Sequence, residues 1–476
     1  MKTIVAPLVF LSGWFAHAAE QSPANVVVII ADDLGYGETS VQNPASDVPT
    51  PHLDSIAEHG VRFTNAYVTA PYCAASRAGM ITGRYQTRFG FEFNPIGPRN
   101  EEPGVGLPVS EKTLADRLRD EAGYSTALIG KWHLGGTAPF HPLRRGYDEF
   151  FGFLHEGHYY RPAPYEAMTT WLRRRTLPNH SSGRWISADG RLVCSDHLGR
   201  NEPDYDADNP IFRNGQPIDE TSNLTDAFSR EAAAFITRCG SERPFFLHLA
   251  YNAVHSPMQA DDAHLARFTH IEDVQRRIFA AMLAQLDEGV GTVLAAIEKA
   301  GVREHTLVVF LSDNGSPVRE LTGRNGLLRG EKGSLLEGGI RVPCFASLPG
   351  TIPSGRIYEY PVSSLDWFPT ALALAGIAEP GTTDGVDLTP FLTGKSAGSP
   401  HDHLFWRVGP QAALRKGDWK LVRDSQRGQV GPWHLYNLRN DPSEKHNLAE
   451  ENPAIVNELI RDWETTNAEM REPLFR

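Results

Sequence analysis

Asn25-Val26-Val27-Val28-Ile29-Ile30-Ala31-Asp32-Asp33-Leu34-Gly35 is the stretch on which the fold reading turns. Val26 to Ala31 is an unbroken apolar, largely β-branched run, the pattern of a strand covered on both faces, and it ends in an acidic, glycine-containing turn. The chain then repeats the theme. Thr50, Pro51 and Gly60 fit the N-cap, first helical residue and C′ of a short helix. Ser110 and Gly123 bracket a second helix, with a strand expected over Tyr124 to Ile129. Asp226 to Arg238 reads as helix and Pro244 to Ala250 as strand. Val274 to Lys299 carries apolar residues at Val274, Ile278, Met282, Leu286, Val290 and Leu294, an amphipathic helix closed by Gly301. Thr306 to Ser312 is another buried strand, and it ends at Asp313-Asn314-Gly315. This alternation specifies an α/β fold with a mostly parallel central sheet flanked by helices.

Two regions break the rhythm. Residues 155–222 are rich in Tyr, His, Arg, Pro and Gly without clear periodicity and read as a substrate-side insertion over the sheet. From 386 the pattern becomes short alternating runs, Leu404 to Val408, Ala412 to Arg415, Trp419 to Val422 and Trp433 to Leu438, followed by a helix from Pro453 to about Thr466. The expected division is a signal peptide over 1–19, a catalytic α/β unit over 20–385 and a small C-terminal antiparallel α+β subdomain over 386–476. Lys2, the apolar stretch Ile4 to Phe15 and Ala16-His17-Ala18 make the signal-peptide pattern, so an exported chain, periplasmic or secreted, is expected to start near Ala19 or Glu20. No other segment approaches the ~20 apolar residues of a membrane span. Across 476 residues, 41% hydrophobic and 22% charged, the net charge of −12 argues against broad nucleic-acid binding but leaves room for a local basic pocket.

Several residues at strand ends carry chemistry. Asp32, Asp33, Asp313 and Asn314 end two separated strands; brought together they form a hard-oxygen site for Ca²⁺ or Mg²⁺, and kept apart they only shape turns. Cys73 precedes a short helix with Arg77 beside it, which fits an activated nucleophile or a buried structural thiol. Lys131 and His133 follow one strand, His255 another, and Lys332 lies in a glycine-rich loop. At such places a cation neutralises an anionic ester and an imidazole moves a proton; taken singly, each residue fits a solvated lysine or a hydrogen-bonded loop histidine. Of the four cysteines, Cys344 fits an apolar core run, and Cys194 and Cys239 remain as a pair open to a disulfide.

Taken in order, these motifs resemble the formylglycine-dependent sulfatases of the alkaline phosphatase superfamily. The resemblance rests on paired Asp32 and Asp33, Cys73-Ala74-Ala75-Ser76-Arg77, Thr82-Gly83-Arg84, Gly130-Lys131-Trp132-His133-Leu134-Gly135, His255-Ser256-Pro257, Asp313-Asn314-Gly315 and the Lys332 loop. The tail, Gly417-Asp418-Trp419-Lys420-Leu421 with Leu435-Tyr436 and Asp441-Pro442, resembles the family's C-terminal subdomain. It implies an alkaline phosphatase-like fold and a formylglycine made from Cys73, whose hydrated form attacks sulfur so that the S–O bond breaks. It also implies a cation, Ca²⁺ before Mg²⁺, held by Asp32, Asp33, Asp313, Asn314 and the modified Cys73. Arg77 and Lys131 would stabilise the ionised diol, His255 and Lys332 would serve the leaving group, and His133 would act as the base that releases sulfate. Ala75 stands where proline is commoner in the family; a formylglycine-maturing enzyme is implied as a partner, and alanine is compatible with one of radical type.

The segment Gly83 to Asn94 looks like that of polysaccharide-degrading members, including enzymes for algal galactans. A sulfated polysaccharide or oligosaccharide is therefore the expected substrate. His158, Tyr159, Tyr160 and Arg161 of the insertion fit either a sugar platform with anion partners or the packing of a long loop. The competing readings are an arylsulfatase or phosphonate or phosphodiester hydrolase of the same superfamily, and a calcium-dependent glycan-binding protein with Cys73 unconverted.

Overall fold

The computed structural model describes residues 23–378, 381–426 and 429–475; the expected signal peptide and its cleavage point lie outside them. Ten strands form the central sheet in the order Gln216–Ile218, Ile211–Arg213, Glu149–Phe153, Ser125–Lys131, Phe245–Ala250, Asn25–Ala31, Thr306–Ser312, Cys344–Ser347, Val61–Phe63 and Arg356–Tyr358. The five from Glu149–Phe153 to Thr306–Ser312 are parallel to one another. Ala31 lies opposite Ser312, Ile30 opposite Ala250, and Ala250 opposite Gly130. That register ends four adjacent strands at one level, where an open α/β sheet binds its ligands.

The unbroken apolar runs are explained by burial on both sides. Val27 and Ile29 face a core shared with the helices Leu224–Cys239 and Val274–Lys299. Val26, Val28 and Ile30 face a second core with the helices Cys73–Thr82, Leu114–Ala122 and Trp367–Leu374. The expected α/β architecture is therefore observed, with differences in detail. Val274–Lys299 is buried continuously from Ile278 to Asp287 and carries a one-sided stripe only beyond that point. Among the described residues it is the one helix long and apolar enough to cross a membrane, and here it is a core helix. The second helix is capped by Thr113 rather than Ser110 and so starts at Leu114, because Thr113 and Asp116 form a reciprocal capping box. Gly60 is needed for close approach, not for a left-handed cap: a Cβ there would lie 2.1 Å from the Ala346 carbonyl oxygen.

The 155–222 segment is more than a cover over the sheet. It supplies Ile211–Arg213 and Gln216–Ile218 to one edge of the central sheet. It also builds most of a separate sheet, ordered Met258–Asp261, Met168–Arg173, Leu192–Ser195 and Arg184–Ile186. Tyr160 and Trp171 are buried in the main core. All four thiols are free, so the Cys194–Cys239 pairing does not form: Cys194 packs in the insertion's own apolar cluster, whereas Cys239 ends a helix against the main core. Cys344 is a buried strand residue, as its apolar surroundings predict.

At the C-terminus, Leu404–Val408, Gln411–Lys416, Trp419–Gln426 and Gln429–Asn437 form an antiparallel meander. The helix Pro453–Asn467 buries Leu459 and Trp463 against one face. The other face, with Trp406, Ala413, Val422 and Tyr436, packs on Tyr67, Val68, Ile340 and Val342 of the larger unit.

Candidate active site

The strand ends deliver the site. Asp32 follows Asn25–Ala31 directly and Asp313 follows Thr306–Ser312; the Asp33 amide donates to Asp313 Oδ1 at 3.1 Å and the Leu34 amide to Ser312 Oγ at 2.9 Å. Asp33 adopts φ 63° and His133 φ 58°, a left-handed conformation that costs a non-glycine residue energy and is maintained by such surrounding contacts. The strand runs over Ser125–Lys131 and does not stop at Ile129, so Lys131 is its last residue, and its side chain is fully buried. Its amine meets Asp32 Oδ2 at 2.5 Å. Cys73 is the first residue of the helix Cys73–Thr82, and the Asn94 Oδ1 accepts the next amide, from Ala74, at 2.9 Å. One turn on, Arg77 donates from Nε to Asp313 Oδ2 at 2.9 Å and from Nη1 to the Lys131 carbonyl at 3.2 Å.

The strand-end and loop residues singled out from sequence converge here. Cys73 Sγ lies 3.4 Å from Asp32 Oδ1, and Lys332 Nζ lies 3.1 Å from the sulfur and 2.7 Å from Asp33 Oδ1. His255 Nε2 is 3.7 Å from Asp33 Oδ2. Asn314 donates to Asp33 Oδ1 at 2.7 Å. Asp32, Asp33, Cys73 and Asp313 can each offer one ligand atom with all of these atoms within 4.8 Å of one another. Asn314 Oδ1 is buried with no hydrogen-bond partner among the described residues. Hard oxygen donors around an orphaned amide oxygen fit a divalent cation such as Ca²⁺ or Mg²⁺.

Electrostatics assigns the groups different states. Burial raises the proton affinity of Asp32, but Lys131, Arg77 and Lys332 outweigh it and hold its carboxyl below the ordinary value. Asp33 goes the other way, to about 7, because burial and the neighbouring Asp32 and Asp313 exceed the pull of Lys332. Burial pushes the Cys73 thiol up, against the opposing effect of Lys131 and Lys332. A thiol so placed is a poor thiolate nucleophile at neutral pH. Lys332 loses proton affinity to burial and regains more from Asp33, so it stays charged.

The two histidines are held neutral, His133 by burial and Lys131, His255 by burial and Lys332. Their backbone partners fix the tautomers. His255 Nδ1 lies 2.5 Å from the Ser256 carbonyl oxygen, which leaves Nε2 as the acceptor. His133 Nε2 lies 2.9 Å from the Pro95 carbonyl oxygen, which leaves Nδ1 as a buried lone pair without a partner among the described residues.

Above these groups opens a cavity of about 600 Å³ whose wall includes Cys73, His255 and Lys332, the aromatic rings of Tyr72, Phe93 and Tyr205, and Arg99, Arg173, Arg200 and Arg319. Sequence reading missed Asn94, Arg173 and Tyr205. Arg173 is buried and bound to Glu202 and Glu320 at 2.7 and 2.8 Å, and it donates to Ser256 Oγ beside His255 at 3.2 Å. No local period marks it, because its partners come from distant segments. The residues read as a sugar platform turn out to be packing: Tyr160 donates its hydroxyl to the Asn252 and His255 carbonyls, Tyr159 stacks on Tyr165, His158 pairs with Asp206, and Arg161 donates to the Glu166 carbonyl.

Comparison with known proteins agrees with this geometry. The family model described as "Sulfatase" matches residues 24–377, and the model described as "N-sulphoglucosamine sulphohydrolase, C-terminal" matches residues 330–469. Steryl-sulfatase of Mus musculus is 35% identical over 434 residues, covering 80% of this chain and 67% of the relative. N-acetylgalactosamine-6-sulfatase of Canis lupus familiaris is 33% identical over 439 residues, covering 87% and 76%. The crystal structure of Ps i-CgsB in complex with k-i-k-neocarrahexaose superposes with a TM-score of 0.81 at 34% identity, covering 95% of each chain. The chain belongs to the sulfatase family and is a sulfuric ester hydrolase, which displaces the reading of a glycan-binding protein.

Proposed function

We propose that this enzyme is exported and removes sulfate from a carbohydrate, a sulfated polysaccharide or oligosaccharide such as an algal galactan. The observation that carries the substrate class is the open cavity above Cys73, which combines aromatic faces for sugar rings with arginines for sulfate groups. The likeness to Ps i-CgsB, solved with an oligosaccharide, supports the same class. The Lys2 to Ala18 pattern supports export.

Cys73 is the site of conversion to formylglycine by a maturing enzyme, and the buried, strongly protonated thiol supports this, since it has little nucleophilicity of its own. The hydrated aldehyde supplies the attacking hydroxyl. A cation, for which Ca²⁺ is our assignment, would be held by Asp32, Asp33, Asp313, Asn314 and position 73, and when bound would lower the pKa of that hydroxyl and polarise the ester. Arg77 and Lys131 neutralise the charge that develops around position 73. Lys332 reaches the bridging oxygen as the group that carries a proton at neutral pH, and His255 offers Nε2 as an acceptor on the same wall. His133 Nδ1, a lone pair with no competing partner among the described residues, takes the proton whose loss releases sulfate.

Two measurements test this reading. Hydrolysis in ¹⁸O-labelled water is expected to leave the product alcohol unlabelled; label in the alcohol would mean C–O cleavage and overturn the mechanism. Matured enzyme is expected to desulfate members of a panel of sulfated oligosaccharides; turnover confined to small aryl sulfates, or faster on phosphonate or phosphate diesters, would overturn the substrate class.

A further inference from the structure

Glu337 begins the short helix Glu337–Ile340, and its fully buried carboxylate is held from two sides. From the larger unit, Tyr67 donates its hydroxyl to Oε2 at 2.6 Å and Arg341 lies 3.3 Å from the same oxygen. From the C-terminal meander, Lys420 Nζ lies 2.8 Å from Glu337 Oε1 and 2.9 Å from Glu444 Oε1, with all three side chains 0% exposed. The Glu337 amide donates to Glu444 Oε2 at 2.7 Å. Apolar side chains of similar size would join two units at least as well as three buried charges, so this cluster calls for a role beyond adhesion. Glu444 also adopts φ 51°, a conformation that a non-glycine residue keeps only when its surroundings impose it.

The cluster lies behind the active-site loop. Residues 329–339 fold tightly on themselves: the Gly338 amide donates to the Arg329 carbonyl at 2.6 Å and the Ser334 amide to the Glu331 carbonyl at 2.9 Å. A Cβ on Gly339 would lie 2.0 Å from the Ser334 carbonyl oxygen and 2.7 Å from that of Glu331, so the turn has no slack. The Gly315 amide, next to Asn314, donates to the Gly339 carbonyl at 3.0 Å. The C-terminal unit grips the same loop twice more, through Arg329 Nη1 to the Glu444 carbonyl at 2.7 Å and Gln411 Nε2 to the Gly333 carbonyl at 3.1 Å. Lys332 stands in the middle of this loop with its amine 3.1 Å from Cys73 Sγ.

We propose that Lys420 and Glu444 are positioning residues: by clamping Glu337 they fix the 329–339 loop from behind and hold Lys332 at the scissile ester. The C-terminal unit is thereby part of the catalytic apparatus. This inference rests on Lys332 serving the leaving group, as argued above.

The test compares Lys420→Met, Glu444→Gln and Lys332→Met on sulfate esters whose leaving groups run from an acidic nitrophenol to a sugar alcohol. Gln411→Ala, altered at a partly exposed contact, keeps the test open if the buried variants fail to fold. A misplaced Lys332 costs most where the leaving oxygen needs its proton. We expect kcat on the sugar sulfate to fall by about tenfold or more in Lys420→Met, with the nitrophenyl ester little affected and KM nearly constant. The double variant Lys332→Met/Lys420→Met should be no slower than Lys332→Met alone, because Lys420 acts through Lys332. An equal loss on every ester, which marks a smaller folded fraction, or additive losses in the double variant would overturn the clamp. If Lys332→Met itself shows no dependence on the leaving group, the role given to Lys332 fails, and non-additivity in the double variant still decides the clamp.

Discussion

Asn314 carries an uncompensated polar atom at the centre of the site: its amide nitrogen donates to Asp33 Oδ1 and to the Gly315 carbonyl, while Oδ1 is buried with no hydrogen-bond partner among the described residues. A buried acceptor left unmade costs about 1–3 kcal/mol. A cation among Asp32, Asp33 and Asp313 would remove that cost, and the asparagine would then join the carboxylates as a ligand. The charges agree. Three carboxylates stand against Arg77, Lys131 and Lys332, so a divalent cation leaves the site positive toward an anionic ester. Chelation is accordingly expected to abolish activity and lower the unfolding temperature, with Ca²⁺ restoring both. In Asn314→Ala the affinity for Ca²⁺ should fall by at least the ~10–100-fold that loss of an outer-shell partner costs. Thermal unfolding against Ca²⁺ concentration measures it, and a titration superimposable on that of the unaltered protein would remove Asn314 from the ligand set.

At the scale of elements, the site depends on how closely strands approach where they end. Gly130 precedes Lys131 with φ 111°, and a Cβ there would lie 1.9 Å from the carbonyl oxygen of Ala250 on the neighbouring strand. Gly130→Ala therefore adds both backbone strain and a clash with main chain that has nowhere to move. We expect a loss of about 3 kcal/mol, at the upper end of common single-site effects, with activity reduced further because Lys131 shifts from Asp32. Urea unfolding with parallel kinetics checks this, and an alanine variant of unchanged midpoint would show that the strands separate easily. The same elements explain what could be read beforehand. The runs Val26 to Ala31 and Thr306 to Ser312 announce themselves because burial on both faces demands unbroken apolar sequence, and the polar turns that close them locate Asp32 and Asp313. Arg184–Ile186 and Leu192–Ser195 do not, because they are only three and four residues long: they pair with each other as a short hairpin, and what places that hairpin in a sheet is the register of Leu192–Ser195 with Met168–Arg173, outside it. Arg173 stayed hidden for the same reason. Its burial is tolerable only because Glu202 and Glu320 meet it in space, and neither lies near it in the chain. For Tyr160, composition gave the residue type but not the direction in which the ring points, and that direction made it core.

For the molecule as a whole, the densely buried sheet has a consequence for acid stability. His248 lies mid-strand between Leu247 and Leu249, 2% exposed, with Nδ1 2.8 Å from the Tyr147 hydroxyl and Nε2 without a hydrogen-bond partner among the described residues. Phe246 stacks near it, and the adjoining void of about 10 Å³ is at the lower limit for holding a water molecule. Burial, aided by Arg77, lowers its pKa from 6.5 to about 3. The sign follows directly: the folded state keeps this imidazole neutral while the unfolded chain binds a proton below pH 6.5. Stability is therefore intact above 6.5 and is lost progressively as pH falls toward 3, by about 1.4 kcal/mol per pH unit across that window. His133 and His255, also held neutral, act in the same direction. Replacing both members of the pair, His248→Phe with Tyr147→Phe, removes the titration and leaves no orphaned hydroxyl. Urea unfolding at pH 7.5 and 4.5 should show the unaltered protein losing about 3 kcal/mol more than the double variant between the two conditions. Equal losses in the two proteins would mean that His248 is protonated or hydrated in the folded state, and the acid sensitivity would then have to come from the histidines of the active site.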